Sequence, residues 1–158
     1  MPKISAGLLM YRIQNDELEV FLIHHGGPYN KRRQEGHWGI PKGLVDPRDE
    51  GLLSTAIREF EEETGIHSHA PYIELDQVQY RSSRKIIHAW AFEGNWNPVD
   101  GLQSNTFEME WPPRSGQLQA FPEIDEGRWM NLETAKAFIH PTQWPLVTRL
   151  CEKVEIPH

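Results

Sequence analysis

Apolar and polar positions alternate between two periods along this chain. Ile4 to Arg12 is a largely apolar, extended run, and Leu18 to His24 alternates well enough to be its partner, with Gln14-Asn-Asp-Glu17 supplying turn chemistry between them. A loop then runs to His37. From Leu52 the period changes to that of a helix, with Leu52, Leu53, Ala56, Ile57 and Phe60 on one side and Gly65 just past Thr64, where such a helix would stop. Tyr72 to Tyr80, Lys85 to Phe92, Thr106 to Trp111 and Arg128 to Asn131 read as strands, set apart by Asn-, Gly- and Pro-rich segments. Two helices follow, from about Leu132 to Ile139 and from about Gln143 to Val154, with Pro141 between them. No linker, repeat or low-complexity tract interrupts this order. It predicts one mixed α/β (α+β) domain over residues 1–158.

Composition narrows the function classes. A chain of 158 residues can bury a core without disulfides or a structural metal. A net charge of −7 argues against a broad nucleic-acid surface, while leaving room for a local basic pocket that takes a phosphorylated small molecule or an RNA 5′ end. The lone Cys151 reads as a small buried residue of the last helix rather than a nucleophile. With no signal-peptide pattern and no apolar run long enough to span a bilayer, a cytoplasmic protein without membrane association is expected.

Chemistry concentrates on the predicted helix. Glu59, Glu62 and Glu63 lie at i, i+3, i+4 spacing, beside the apolar stripe of Leu53, Ala56 and Phe60. Like charges at such spacing cost a helix about 0.2–0.5 kcal/mol per pair, so a cation is the expected counterpart. Arg58, four residues before Glu62, can hydrogen-bond a carboxylate and orient it. For three glutamates alone, a solvated acidic face is the competing reading.

A longer pattern decides between them. It runs from Trp38-Gly-Ile-Pro-Lys-Gly43 through Glu50 to Arg58-Glu-Phe-Glu-Glu-Glu-Thr-Gly-Ile66, and it resembles the signature box of the Nudix hydrolases. In that family the order is Gly, five residues, Glu, seven residues, then Arg-Glu-apolar-x-Glu-Glu-x-Gly-apolar. From Glu50 onward every fixed position is matched. The front departs: six residues, Leu44 to Asp49, separate Gly43 from Glu50, which predicts a loop bulged by one residue.

The resemblance implies a mixed sheet sandwiched between helices, with the box as a loop–helix–loop, and hydrolysis of a nucleoside diphosphate linked to another group. It implies Glu59, Glu62 and Glu63 as main ligands of Mg2+, with Mn2+ as a substitute, and the backbone carbonyl of Gly43 in the same cluster. Such carboxylates suit magnesium, which takes oxygen ligands and keeps several waters. Zinc would want histidine or cysteine, and His67 and His69 just beyond the box are a weak zinc signal. Arg58 and Glu50 are expected as supports, Glu50 for the loop and the helix start. A later catalytic or metal-binding acid is implied before a tryptophan that opens a strand. Glu123 in Phe-Pro-Glu-Ile-Asp-Glu-Gly-Arg-Trp129 is the choice, with Asp125 and Glu126 as competitors and an ordinary acidic loop as the alternative.

Further segments, Ser5-Ala-Gly-Leu-Leu-Met-Tyr11, His88-Ala-Trp-Ala-Phe92 and Ser104 to Gly116, look like a bacterial Nudix subgroup of predicted nucleotide pyrophosphohydrolases. The Pro-Lys-Gly run resembles diadenosine polyphosphate hydrolases, which makes Lys42 a phosphate-binding candidate and dinucleoside polyphosphates the favoured substrate. Nucleoside triphosphates, nucleotide sugars and RNA 5′ ends stay open, as does a nucleotide-binding regulator that does not cleave. Lys31, Arg32 and Arg33 could draw in further phosphates or form a solvated loop. Tyr80 could stack on a base or pack in the core, and Arg114 sits on a turn that could reach the pocket. Relatives often dimerise, although nothing in the sequence specifies a homodimer.

Overall fold

The computed structural model describes residues 2–156. Its first two strands, β1 (Ile4–Gln14) and β2 (Glu17–His25), form the predicted antiparallel hairpin, with Asn15 and Asp16 at positive φ in the turn. The short strands β3 (Trp38–Gly39) and β4 (Lys42–Leu44) follow, then α1 (Leu52–Thr64), β5 (Ile73–Gln79) and β6 (Ile86–Glu93). A hairpin of β7 (Thr106–Glu110) and β8 (Leu118–Pro122) stands apart from the main sheet, and β9 (Ile124–Asn131), α2 (Leu132–Phe138) and α3 (Trp144–Lys153) complete the order. Among the described residues no helix is long and apolar enough to cross a membrane.

The main sheet has the order β3-β2-β1-β6-β5, with β4 added to β1 and β9 to β2. It is mixed, because β1 and β6 run parallel while the other pairs are antiparallel. Successive strand residues point to opposite faces, so β1 and β2 feed two cores at once. Leu9, Tyr11, Leu18, Val20 and Leu22 meet Ala135 of α2 and Leu146, Leu150 and Cys151 of α3. Ala6, Leu8, Met10, Phe21 and Ile23 meet Ala56 and Phe60 of α1. The sheet is therefore sandwiched between α1 and the α2/α3 pair, as expected. Cys151 is fully buried.

Phe60 ties α1 to the sheet, since its ring meets Phe21 and Phe92 edge-on and is itself fully buried. Burial of one such side chain stabilises by roughly 1.5–3 kcal/mol. Gly65 ends the helix in the left-handed region at φ 77°, its N–H donating to the Glu61 carbonyl, which is the stop predicted for it. Several features went unread, the short β3 and β4 among them. β8 is mostly exposed, so its sequence lacks a buried face, and β9 begins at Ile124 rather than Arg128.

Candidate active site

β4 and α1 bring the site together. Gly43 pairs with Ala6 of β1, and a Cβ on Gly43 would run into the Glu59 carboxylate, so only glycine lets that carboxylate lie against the strand. One turn on, Glu63 Oε2 accepts the Lys42 backbone N–H at 3.1 Å. The two glutamates thus lie against adjacent residues of one strand, Glu63 by a hydrogen bond and Glu59 by close approach. Burial, aided by the charge of Glu59, pushes Glu63 up to about 8, and the charge of Glu123 adds to the effect. Burial also raises Glu59. On the same grounds the Lys42 ammonium is lowered by burial, which Glu63 partly offsets.

Glu62 does not join them. Its carboxylate turns to Arg58 Nη1 at 3.2 Å, the i, i+4 contact expected from the sequence, and Nη1 also donates to Glu59 Oε1 at 3.0 Å. Among the described residues no three or more His, Cys, Asp or Glu side chains converge closely enough to hold a metal ion. His67 instead meets Glu61, and His69 packs edge-on against Phe92.

The support expected of Glu50 falls to its neighbour. Asp49 accepts Arg58 Nε at 3.0 Å on Oδ1 and Arg58 Nη2 at 2.9 Å on Oδ2, and Oδ2 also accepts from Thr55 Oγ1 at 2.7 Å and from the Asp46 N–H at 3.1 Å. Its side chain is only 7% exposed, whereas Glu50 is exposed. These hydrogen bonds hold the Asp49 carboxyl far below the usual carboxylate range. Asp49 is also separated from Gly43 by five residues, so the extra residue of the loop falls after the carboxylate that grips Arg58. The sequence held the signal, in two adjacent acids of which the shorter one keeps the glycine spacing.

Of the three later acids, Asp125 is taken by His24 at 2.8 Å and Glu126 by Arg128 at 2.7 Å, which leaves Glu123 to bear on Glu63. Glu123 sits between β8 and β9, where its backbone carbonyl accepts from Gly26 at 2.9 Å and its N–H donates to the Asn105 carbonyl at 2.8 Å.

On the α3 side of the sheet a polar cavity of 180 Å³ is lined by Lys42, Tyr80, His25, His37, Asn30 and His140, among others. Desolvation lowers His140, and neighbouring His37 and Lys42 act in the same direction, so this ring favours the neutral form. Tyr80 is held by the Gln143 amide, which donates to its hydroxyl at 2.8 Å, and by the His140 ring at 4.7 Å. Arg32 and Arg33 are exposed and lie outside the walls of this cavity. Arg114, at the β7–β8 tip with φ 63°, has its N–H bound to Glu110, and it too lies outside the walls. The structure brings Lys42 and Tyr80 together and leaves Arg114 apart. The histidines and Gln143, drawn from distant segments, had no motif to reveal them.

A mixed sheet between helices, with a glycine strand and an acidic helix packed carboxylate to backbone, defines a known class. A family model described as the NUDIX domain matches residues 1–150, and the chain belongs to the Nudix hydrolase family. The chain is similar to the asymmetrical bis(5′-nucleosyl)-tetraphosphatase of Rattus norvegicus, 31% identical over 101 residues that cover 56% of this chain and 63% of the rat protein. The RNA pyrophosphohydrolase of Pelagibacter ubique is 28% identical over 103 residues, 63% of either chain. The chain thus spans under two thirds of the length of these two relatives. Among solved structures, the Ap4A hydrolase of C. elegans superimposes with a TM-score of 0.64 at 25% identity, covering 98% of this chain and 99% of that one.

Proposed function

We propose that this chain hydrolyses a phosphoanhydride bond of a nucleoside diphosphate linked to another group, with dinucleoside polyphosphates such as diadenosine tetraphosphate favoured. The observation that carries the reading is the pair Glu59 and Glu63, two half-buried carboxylates, one lying against Gly43 and the other bonded to the Lys42 N–H, both raised by desolvation. Desolvation of the pair outweighs what Arg58 gives Glu59 and Lys42 gives Glu63, so a further cation would relieve the cost of their negative charge. Their donors are all oxygen, with Glu123 on one side and the Gly43 carbonyl on the strand, which fits Mg2+, or Mn2+ in its place, better than zinc. Glu59, Glu63, Glu123 and Gly43 would hold the ion, and Glu62 would join after release from Arg58. When bound, the ion offsets the charge of the phosphate oxygens and makes a water more acidic.

The remaining steps belong to the chain. Arg58, gripped by Asp49, fixes the start of the acidic strip. Lys42 meets a phosphate at the cavity, Tyr80 borders the nucleoside, and Arg32 and Arg33 meet phosphates farther along the chain. Water oxygen bonds to phosphorus, the anhydride P–O bond breaks, and a carboxylate of the set takes the proton. The names of the rat and C. elegans relatives support the dinucleoside substrate, and that of the Pelagibacter relative supports an RNA 5′ end as the second reading.

Phosphate and nucleotide products released from a nucleotide panel, with and without Mg2+, test this. Magnesium-dependent turnover led by a dinucleoside tetraphosphate is expected. Binding without metal-dependent turnover would overturn the hydrolase reading in favour of a nucleotide-binding regulator.

A further inference from the structure

β9 carries an irregularity next to the site. From Glu126 to Asn131 it pairs in step with β2, but the register slips between His24 and His25, so His25 faces Ile124 and Asp125 has no partner in the ladder. Bulges of this kind re-aim side chains. Here the slip has two results: Ile124 enters the core beneath α1, and Asp125 reaches His24 with Oδ1 2.8 Å from Nδ1. His24 Nε2 donates to the carbonyl of Arg33 at 2.6 Å.

His24 is 2% exposed and its ring lies 5.2 Å from that of Trp38. Its two nitrogens thus reach two different segments, Nε2 the Arg33 carbonyl and Nδ1 the Asp125 carboxylate. Arg33 belongs to the loop whose Asn30 and His37 line the cavity, and Asp125 lies two residues from Glu123. The same loop is tied at its start, where the Gly26 N–H meets the Glu123 carbonyl and the Asn30 amide donates to the Gly26 carbonyl at 3.0 Å. An apolar side chain could fill the space of His24. It could not join the cavity wall to the strand that begins beside Glu123.

Resting on the hydrolase reading above, we propose that His24 is a positioning residue, a clasp that sets the Asn30–His37 wall against Glu123 through Asp125 and the Arg33 carbonyl. His24 itself borders the cavity, and the role proposed for it is that of a support rather than a ligand to phosphate or metal. Without the clasp only the tie at Gly26 joins the wall to the acid, and kcat falls more than KM rises because the acid acts in the chemical step.

Four variants test this on the full chain: His24→Ala, Asp125→Ala, the two combined, and Asp125→Asn, which keeps an acceptor for the ring. Hydrolysis of diadenosine tetraphosphate with Mg2+ is expected to lose about tenfold or more in kcat in each alanine variant, with KM changed by less than about threefold. The combined variant should be no slower than either single one, and Asp125→Asn should stay within about threefold of the parent. Amide hydrogen exchange over residues 30–37 should be at least about tenfold faster in the alanine variants. Parent-level kcat in His24→Ala, losses that multiply in the combined variant, or unchanged exchange would overturn the clasp. Asp125 is 36% exposed, so Asp125→Ala carries both readouts if His24→Ala does not fold. A parent without turnover would end the hydrolase reading and leave the exchange comparison to decide the clasp.

Discussion

Asp49 and Arg58 meet through two parallel hydrogen bonds, Nε to Oδ1 at 3.0 Å and Nη2 to Oδ2 at 2.9 Å, nine residues apart across the start of α1. A fork of this kind fixes direction as well as distance. The third arm of Arg58 then meets Glu59 and Glu62. Asp49→Ala is therefore expected to lower kcat by about 10- to 100-fold, the usual effect of losing a group that orients a site residue. Glu50→Ala should leave kcat within about twofold, since Glu50 is exposed. Steady-state kinetics on the two variants decides which acid supports the helix.

Gly43→Ala should separate activity from stability. The added methyl displaces the Glu59 carboxylate, the mobile end of a flexible side chain, so the fold adapts while the carboxylate loses its seat. A loss of about 100-fold in kcat with a small change in Tm is expected, from turnover and thermal unfolding of the same preparation.

Glu63 gives a pH dependence of definite sign. Its folded-state value of about 8 lies above the unfolded value of 4.5, so its contribution to the stability of the metal-free protein is full below about 4.5 and is lost as pH rises from there through about 8. Thermal unfolding with a chelator between pH 5 and 8.5 should show Tm falling. Glu63→Gln should flatten the slope, because the neutral amide has no proton to lose. Equal slopes in parent and variant would show that Glu63 carries its charge without penalty.

Tyr80 is the cavity residue whose packing and binding roles can be parted. Tyr80→Phe loses the hydrogen bond to Gln143 and should cost about 1 kcal/mol of stability with KM nearly unchanged. Tyr80→Ala removes the wall itself and should raise KM about tenfold. KM values for a dinucleotide, set beside the two Tm values, check both.

What could be read from the sequence follows from how local its cause is. The β1–β2 hairpin, α1 and the stop at Gly65 were legible because each depends on periodicity and turn chemistry within a short window. The C-terminal helices were placed to within one or two residues, and Glu59 and Glu63 came from the box. β8 was missed because nearly all of its residues are exposed, with no buried face to impose the alternation that β7 shows. Asp49 was hidden by its neighbour Glu50, which keeps the box spacing to Arg58. The His24–Asp125 contact joins residues 101 apart through a register slip, and neither residue type nor spacing announces it. The cavity likewise takes Tyr80, His140 and Gln143 from segments that meet only once the sheet is built.

The most direct test of the active-site assignment compares diadenosine tetraphosphate hydrolysis by the parent and by the Glu59→Gln/Glu63→Gln double variant at saturating Mg2+. The variant keeps the shape of both side chains and removes their charge. Magnesium-dependent turnover by the parent, slower by about a thousandfold or more in the folded variant, is the predicted result. Equal rates in the two proteins would contradict it.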